Sequence, residues 1–191
     1  MEIVEPIRDP KKIAALKQYL LGGKNIRNYT LVVLGLNSAL RISDILKLTW
    51  EAVYDFTDDE FRTHVYLREM KTDKSKKLTL NNSATKALAL LKNSIDCRPN
   101  DYIFMSREGD NRPITRIMAL KIVKSASEAV GIKERIGCHS LRKTFGYHSW
   151  KKGVPLPLLC ELFNHSTQQV TKRYLGIIQD DLDAVYRLIE L

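Results

Sequence analysis

Apolar residues recur along this chain with two different spacings. Asp9-Pro10 pairs an N-cap residue with a proline suited to the first helical position, and Ile13, Leu16 and Leu20 then share one face until Gly22-Gly23. This predicts a helix over about 10–21. Residues 25–38 are apolar almost throughout (Leu31, Val32, Val33, Leu34, Leu36), as in a helix buried on most sides. Arg41 follows directly. A short helix then carries Ile45, Leu46 and Leu48, with Ser43 as its cap and Asp44 in the first turn, where a carboxylate favours the helix dipole.

Between Phe61 and Leu80 the spacing shortens to two. Val65 and Leu67 alternate with His64, Tyr66 and Arg68, the run KTDKSKK interrupts, and Leu78 and Leu80 resume the pattern. One β-hairpin with a lysine-rich turn is expected. Helical spacing returns from Asn82 or Ser83 through Ala84, Leu88, Leu91 and Ile95, and again from Thr115 to Gly131, with DYIFMS between them read as a short strand and REGDNRP as a turn. Three close-set helices follow: 139–152, closed by Gly153; 156–163; and 167–175, opened by a capping box of Ser166 and Gln169. Asp180 caps a last helix with the narrow stripe Leu182, Val185 and Ile189. The fold class is mainly α with one small antiparallel β-sheet.

A chain of 191 residues is the size of one domain. Hydrophobic residues at 44% and charged residues at 28% are ordinary globular values, and no apolar run reaches the roughly 20 residues that a membrane span needs. The start MEIVEPIRDPKK has no apolar stretch after a basic beginning, so no secretory signal is read and a cytoplasmic protein is expected. Cys97, Cys138 and Cys160 form no CxxC pair and are read as free thiols. A formal charge of +9 favours polyanion binding by counterion release, without naming the polyanion.

Four segments hold the residue types that phosphoryl transfer to a protein nucleophile needs: LRISDIL (40–46), KTDKSKK (71–77), HSLRKTF (139–145) and NHSTQQVTKRYLG (164–176). Such a reaction asks for positioning and for cations aimed at the non-bridging oxygens, so the forked heads of Arg41 and Arg142 are the candidate clamp. Arg41 precedes a helix start, where free N–H groups also attract an anion; a surface arginine paired with Asp44 is the plainer alternative. His139 and Arg142, three apart, share a helix face near its N-terminal end. Tyr174 lies nine residues after His165, between apolar Val170 and Leu175, where a half-buried packing tyrosine is the plainer alternative. Cys138, His139, Cys160 and His165 lack structural zinc spacing, so no metal site is expected.

Taken in order, the segments resemble the tyrosine recombinases of the phage-integrase family. Leu40-Arg41-Ile42-Ser43-Asp44 resembles their first arginine box, His139-Ser140-Leu141-Arg142 their His-x-x-Arg box, and Leu162-Phe163-Asn164-His165-Ser166 through Arg173-Tyr174 their terminal His and tyrosine box. The resemblance runs from about residue 10 onward and implies the catalytic-domain fold of these DNA breaking-rejoining enzymes. It assigns Arg41, Lys71, His139, Arg142, His165 and Tyr174 to the active site, with Lys74, Lys76 and Lys77 as alternatives for the lysine. Asn164 departs from the usual glycine; that glycine ends a helix in the left-handed conformation, which asparagine tolerates next best.

The implied function is site-specific recombination. Tyr174 would attack a scissile phosphate of double-stranded DNA, giving a 3′-phosphotyrosyl link and a free 5′-hydroxyl, with no metal, cofactor or ATP. Arg41, Arg142 and His165 would stabilise the transition state, His139 would take the tyrosine proton, and Lys71 would protonate the leaving oxygen. The resemblance further implies a homo-tetramer on two DNA sites and no membrane. It also implies an absent N-terminal DNA-clamping domain and a C-terminal tail helix over about 177–191 that docks on a neighbouring subunit or packs on its own domain. A non-catalytic DNA-binding regulator and a relaxing topoisomerase are the two rival readings.

Overall fold

The computed structural model describes residues 4–70, 73–177, 181 and 186–189. In chain order its elements are α1 (Pro10–Gly22), α2 (Ile26–Asn37), α3 (Ile42–Leu46), α4 (Trp50–Val53), β1 (Tyr54–Asp55), β2 (Glu60–Phe61), β3 (His64–Arg68), β4 (Ser75–Thr79), α5 (Asn82–Lys92), α6 (Arg116–Ala129), α7 (Cys138–Lys151), α8 (Leu156–Leu162) and α9 (Gln168–Leu175). Helix α2 is the axle. Its residues Thr30 through Leu36 are all buried because it meets α1, α5 and α7 on different sides. The Thr30 hydroxyl donates to the Ala87 carbonyl of α5 at 2.9 Å, so the one polar side chain in that stretch is satisfied. Gly35 lets α7 approach closely, since a Cβ there would lie 2.6 Å from Leu141 Cδ1.

Three buried clusters divide the interior. The largest joins Leu31, Leu34, Trp50, Leu88, Leu91 and Phe104; the second joins Leu16, Leu20, Val32, Val123 and Leu141. A small third cluster of Ala39, Leu159, Phe163 and Leu175 fastens α8 and α9 to the rest. Each large aliphatic or aromatic side chain so buried contributes about 1.5–3 kcal/mol. The hairpin of β3 and β4 pairs Val65 with Leu78 and Leu67 with Lys76, so its inward row starts apolar and turns charged towards its tip.

The mainly helical reading holds, and several boundaries move. The sheet is two two-stranded pairs, because β1 and β2 form a short antiparallel pair of their own ahead of the expected hairpin. Residues 101–106 make single bridges, Tyr102 to Thr49 and Met105 to Pro113, where a strand was expected. Arg41 occupies the cap position of α3 in place of Ser43, and Asn81 caps α5 by accepting from Ala84 N, one residue earlier than expected. Ile95 lies beyond the end of α5 and is exposed. Thr167 caps α9 by accepting from Val170 N, which displaces the Ser166–Gln169 box by one residue. The expected Asp180 cap and the stripe residues Leu182 and Val185 lie outside the described residues.

Candidate active site

Helix α7 starts at Gly137, whose extended backbone donates to Ser140 Oγ at 3.1 Å. That start sends Arg142 inward. Its side chain is 3% exposed, its Nη2 donates to the Phe163 carbonyl at 3.1 Å, and its guanidinium lies 5.0 Å from the centroid of the Phe163 ring. Nε of Arg142 is buried with no hydrogen-bond partner among the described residues. A permanently charged donor buried in this way is costly until an anion meets it.

Arg41, at the cap of α3, brings a second guanidinium to the same place. Its Nη1 stands 2.8 Å from Glu69 Oε2, close enough for an ion pair though not aligned as a hydrogen bond. Glu69 immediately follows β3, and its side chain is fully buried. Asp44, the acid expected beside Arg41, turns away and accepts from the Met70 N–H at 3.0 Å, pinning the end of β3 to α3.

The turn after α8 sets His165. Asn164 has φ 53, its N–H donates to the Glu161 carbonyl, and the His165 N–H donates to the Cys160 carbonyl, both at 2.9 Å. This is the Schellman arrangement, with asparagine in the left-handed position that glycine usually fills. It swings the His165 ring onto Phe163, nearly parallel at 22° with centroids 5.5 Å apart. Tyr174 stands edge-on to His165 at 4.8 Å and tilted against Phe163 at 5.5 Å. Gly176, with φ 68, ends α9 two residues later.

Lysines complete the surroundings. Lys143 Nζ sits 5.4 Å from the Tyr174 ring centroid. On β4, Lys76 reaches inward: Nζ donates to the Leu162 carbonyl at 2.9 Å and lies 3.6 Å from Glu69 Oε1. Lys71 lies outside the described residues.

Charges here lean on each other. Burial raises the Tyr174 phenol above its ordinary value, and Arg142 and then Arg41 oppose that shift. Burial lowers the Lys76 ammonium, helped by Arg142 and Arg41 and resisted by Glu69. His165 is held below the usual histidine value by burial first and then by Arg142 and Arg41. His139 shifts the same way through desolvation, then Arg142, Arg116, Arg41 and Lys143. His139 is exposed as a residue, so the surrounding cations are the firmer cause. Both shifts favour the neutral imidazole, the form able to accept a proton.

Arg142, His165 and Tyr174 thus converge around Phe163, Arg41 lies close enough to act on the charges of all three, and His139 borders them from the first turn of α7. Two arginines, an unpartnered buried donor and an adjacent phenol suit a phosphodiester, held by its non-bridging oxygens and presented to Tyr174 Oη. Sequence reasoning named Lys76 only as an alternative to Lys71, and it missed Glu69 and Thr171, whose hydroxyl lies 3.0 Å from Nδ1 of His165. The signal for Glu69 was in the alternation: Val65, Leu67 and Glu69 share the inward parity, and an acid on a buried row calls for a partner.

Comparisons with known proteins identify the family and the fold. The family model described as the phage integrase family matches residues 9–179. A probable integrase/recombinase, YoeC of Bacillus subtilis, is 40% identical over 98% of this chain and 98% of its own length. A tyrosine recombinase of Pseudothermotoga lettingae is 30% identical over 98% of this chain, which spans 66% of that protein. The crystal structure of XerA recombinase superposes with a TM-score of 0.77 at 19% identity, covering 98% of this chain and 66% of that one.

Proposed function

The chain belongs to the phage integrase family of tyrosine recombinases, enzymes that cut and rejoin DNA at specific sites, and from that premise we propose that Tyr174 is its nucleophile and acts within its own subunit. The observation that carries this reading is the shared seat of Tyr174, His165 and Arg142 on Phe163. A nucleophile already packed beside the cations that bind its phosphate needs no partner to deliver it.

In the proposed step the Tyr174 oxygen bonds to phosphorus and the bond to the 5′-oxygen breaks. The phenolic proton passes to neutral His139, and Lys71 supplies a proton to the leaving 5′-oxygen. Arg41, Arg142 and an Nε2–H of His165 meet the charge on the non-bridging oxygens. The 3′-phosphotyrosyl link keeps the bond energy, so a 5′-hydroxyl from a second strand completes exchange without metal or ATP. The net charge of +9 suits contacts made chiefly to DNA phosphate.

Strand exchange between two DNA sites would take place in a homo-tetramer in the cytoplasm. No helix among the described residues is long and apolar enough to cross a membrane. Tyr186 at 82% and Leu188 at 80% exposure supply apolar surface for docking on a neighbouring subunit. A nicked suicide substrate on a denaturing gel tests the nucleophile: Tyr174→Phe is expected to bind DNA and form no covalent band. A persisting band in that variant overturns the assignment.

A further inference from the structure

Glu69 is a fully buried carboxylate in the middle of a site built to bind an anion. Three of its partners come from three separate elements. Arg41 approaches from the cap of α3 at 2.8 Å, Lys76 from β4 at 3.6 Å, and Asn164 Nδ2, in the turn before His165, donates to Oε2 at 3.2 Å. The backbone around Glu69 is fixed as well: its N–H donates to the Lys74 carbonyl and its carbonyl accepts from Asp73 N–H, both at 2.9 Å, while Asp44 holds the next residue, Met70.

A carboxylate in this place is not there for phosphate, which it repels. Its use is to the cations. Arg41 and Lys76 are both largely buried, at 15% and 8% side-chain exposure, and Arg142 is buried at 3%; three cations gathered without a counter-charge would repel and splay. One carboxylate shared between Arg41 and Lys76 reduces that repulsion. It also pairs with Arg41 through Nη1, which draws the guanidinium towards the hairpin before DNA arrives. We propose that Glu69 is a positioning residue for cleavage: it aims Arg41 at the scissile phosphate and ties the hairpin to both the α3 cap and the His165 turn.

This inference rests on the proposed role of Arg41, and the two can fail separately. Single-turnover formation of the covalent complex on a nicked suicide substrate is the readout, beside equilibrium binding of the same DNA and a thermal midpoint. Glu69→Gln keeps the shape and removes the charge; Glu69→Asp keeps the charge and withdraws it from Arg41. Both are expected to slow cleavage about tenfold or more, as weakening a buried ion pair does, with DNA affinity equal to wild type or higher.

The double variant Arg41→Ala with Glu69→Gln is expected to cleave no more slowly than Arg41→Ala alone, because Glu69 acts through Arg41. A role in general folding would instead add its loss to that of Arg41. If Glu69→Gln fails to fold, Glu69→Asp carries the test. Wild-type cleavage rates in the variants that fold, or full additivity in the cycle, overturn the proposal and leave Tyr174 untouched. Absence of any Tyr174 adduct in wild type would overturn the underlying reading.

Discussion

The Thr171 hydroxyl lies 3.0 Å from Nδ1 of His165 and is itself fully buried. That hydroxyl also reaches the Thr167 carbonyl at 3.3 Å, one helical turn back. When it donates there it accepts from Nδ1–H, and Nε2 carries a lone pair. When it rotates to donate to Nδ1, Nε2 carries the proton that a phosphate oxygen needs. One rotor thus selects the tautomer of a histidine whose surroundings favour its neutral form.

Thr171→Val removes the rotor at nearly unchanged volume. Loss of one buried hydrogen bond of about 1 kcal/mol corresponds to about a fivefold fall in cleavage rate, and Thr171→Ser, which restores the hydroxyl, is expected to recover it. Single-turnover cleavage rates decide the matter. A valine variant as fast as wild type would show that Thr171 does not orient His165.

Gly146 shows how tightly the nucleophile helix is seated. A Cβ there would lie 2.3 Å from Leu175 Cδ2 and 2.7 Å from two atoms of the Phe163 ring. Alanine within a helix ordinarily gains about 1 kcal/mol over glycine, but overpacking costs about 1–3 kcal/mol, and contacts this short let the second effect win. Gly146→Ala is expected to lower the thermal midpoint and to slow cleavage, since Leu175 adjoins Tyr174 and Phe163 carries the site. An unchanged or higher midpoint refutes the packing argument.

Much of the site was legible because its residues sit at punctuation marks. Arg41 just before a helix start, His139 and Arg142 near a helix N-terminus, and His165 after a left-handed asparagine all sit where local chemistry shows in a sequence, although the cap of α3 was expected at Ser43. Glu69 and Lys76 were not legible as partners of the clamp. Their meeting with Arg41 depends on hairpin register and on which face the hairpin turns towards α3 and α8. The shift of the α9 cap from Ser166 to Thr167 has a local cause: two hydroxyl residues compete, and the chain chose the one whose oxygen reaches Val170 N–H. The β1–β2 pair was missed because two-residue strands leave no alternation to detect.

The lowered histidines give the protein a definite response to acid. A histidine whose folded pKa lies below the unfolded value near 6.5 binds fewer protons in the folded state. The stability it favours is therefore complete above about pH 6.5 and is lost as pH falls through the folded value. His165 has these properties by burial and by its arginine neighbours. His165→Gln, which cannot take a proton, is expected to show a smaller fall in thermal midpoint between neutral pH and pH 5. Equal falls in variant and wild type would place the acid sensitivity elsewhere.

The lysine that protonates the leaving oxygen is the last assignment that experiment can fix. Lys71 carries that role by family resemblance, whereas Lys76 stands inside the charge cluster with its ammonium lowered by burial, as an efficient acid requires. Lys76 has a competing task, because Nζ holds the Leu162 carbonyl and Glu69. Both substitutions by alanine are expected to slow cleavage of ordinary DNA, Lys71→Ala by about a hundredfold or more as loss of a general acid does. Replacing the bridging 5′-oxygen by sulfur separates the two. A thiolate has a far lower proton affinity and leaves without an acid, so the variant that lost the acid recovers on the sulfur substrate, whereas one that lost only positioning does not. Recovery is expected for Lys71→Ala and not for Lys76→Ala. Lys74→Ala and Lys77→Ala, on the exposed side of the hairpin, serve as controls at the wild-type rate on both substrates. Recovery of Lys76→Ala alone would move the proton donor to β4. Recovery of none of the four would remove it from the hairpin altogether.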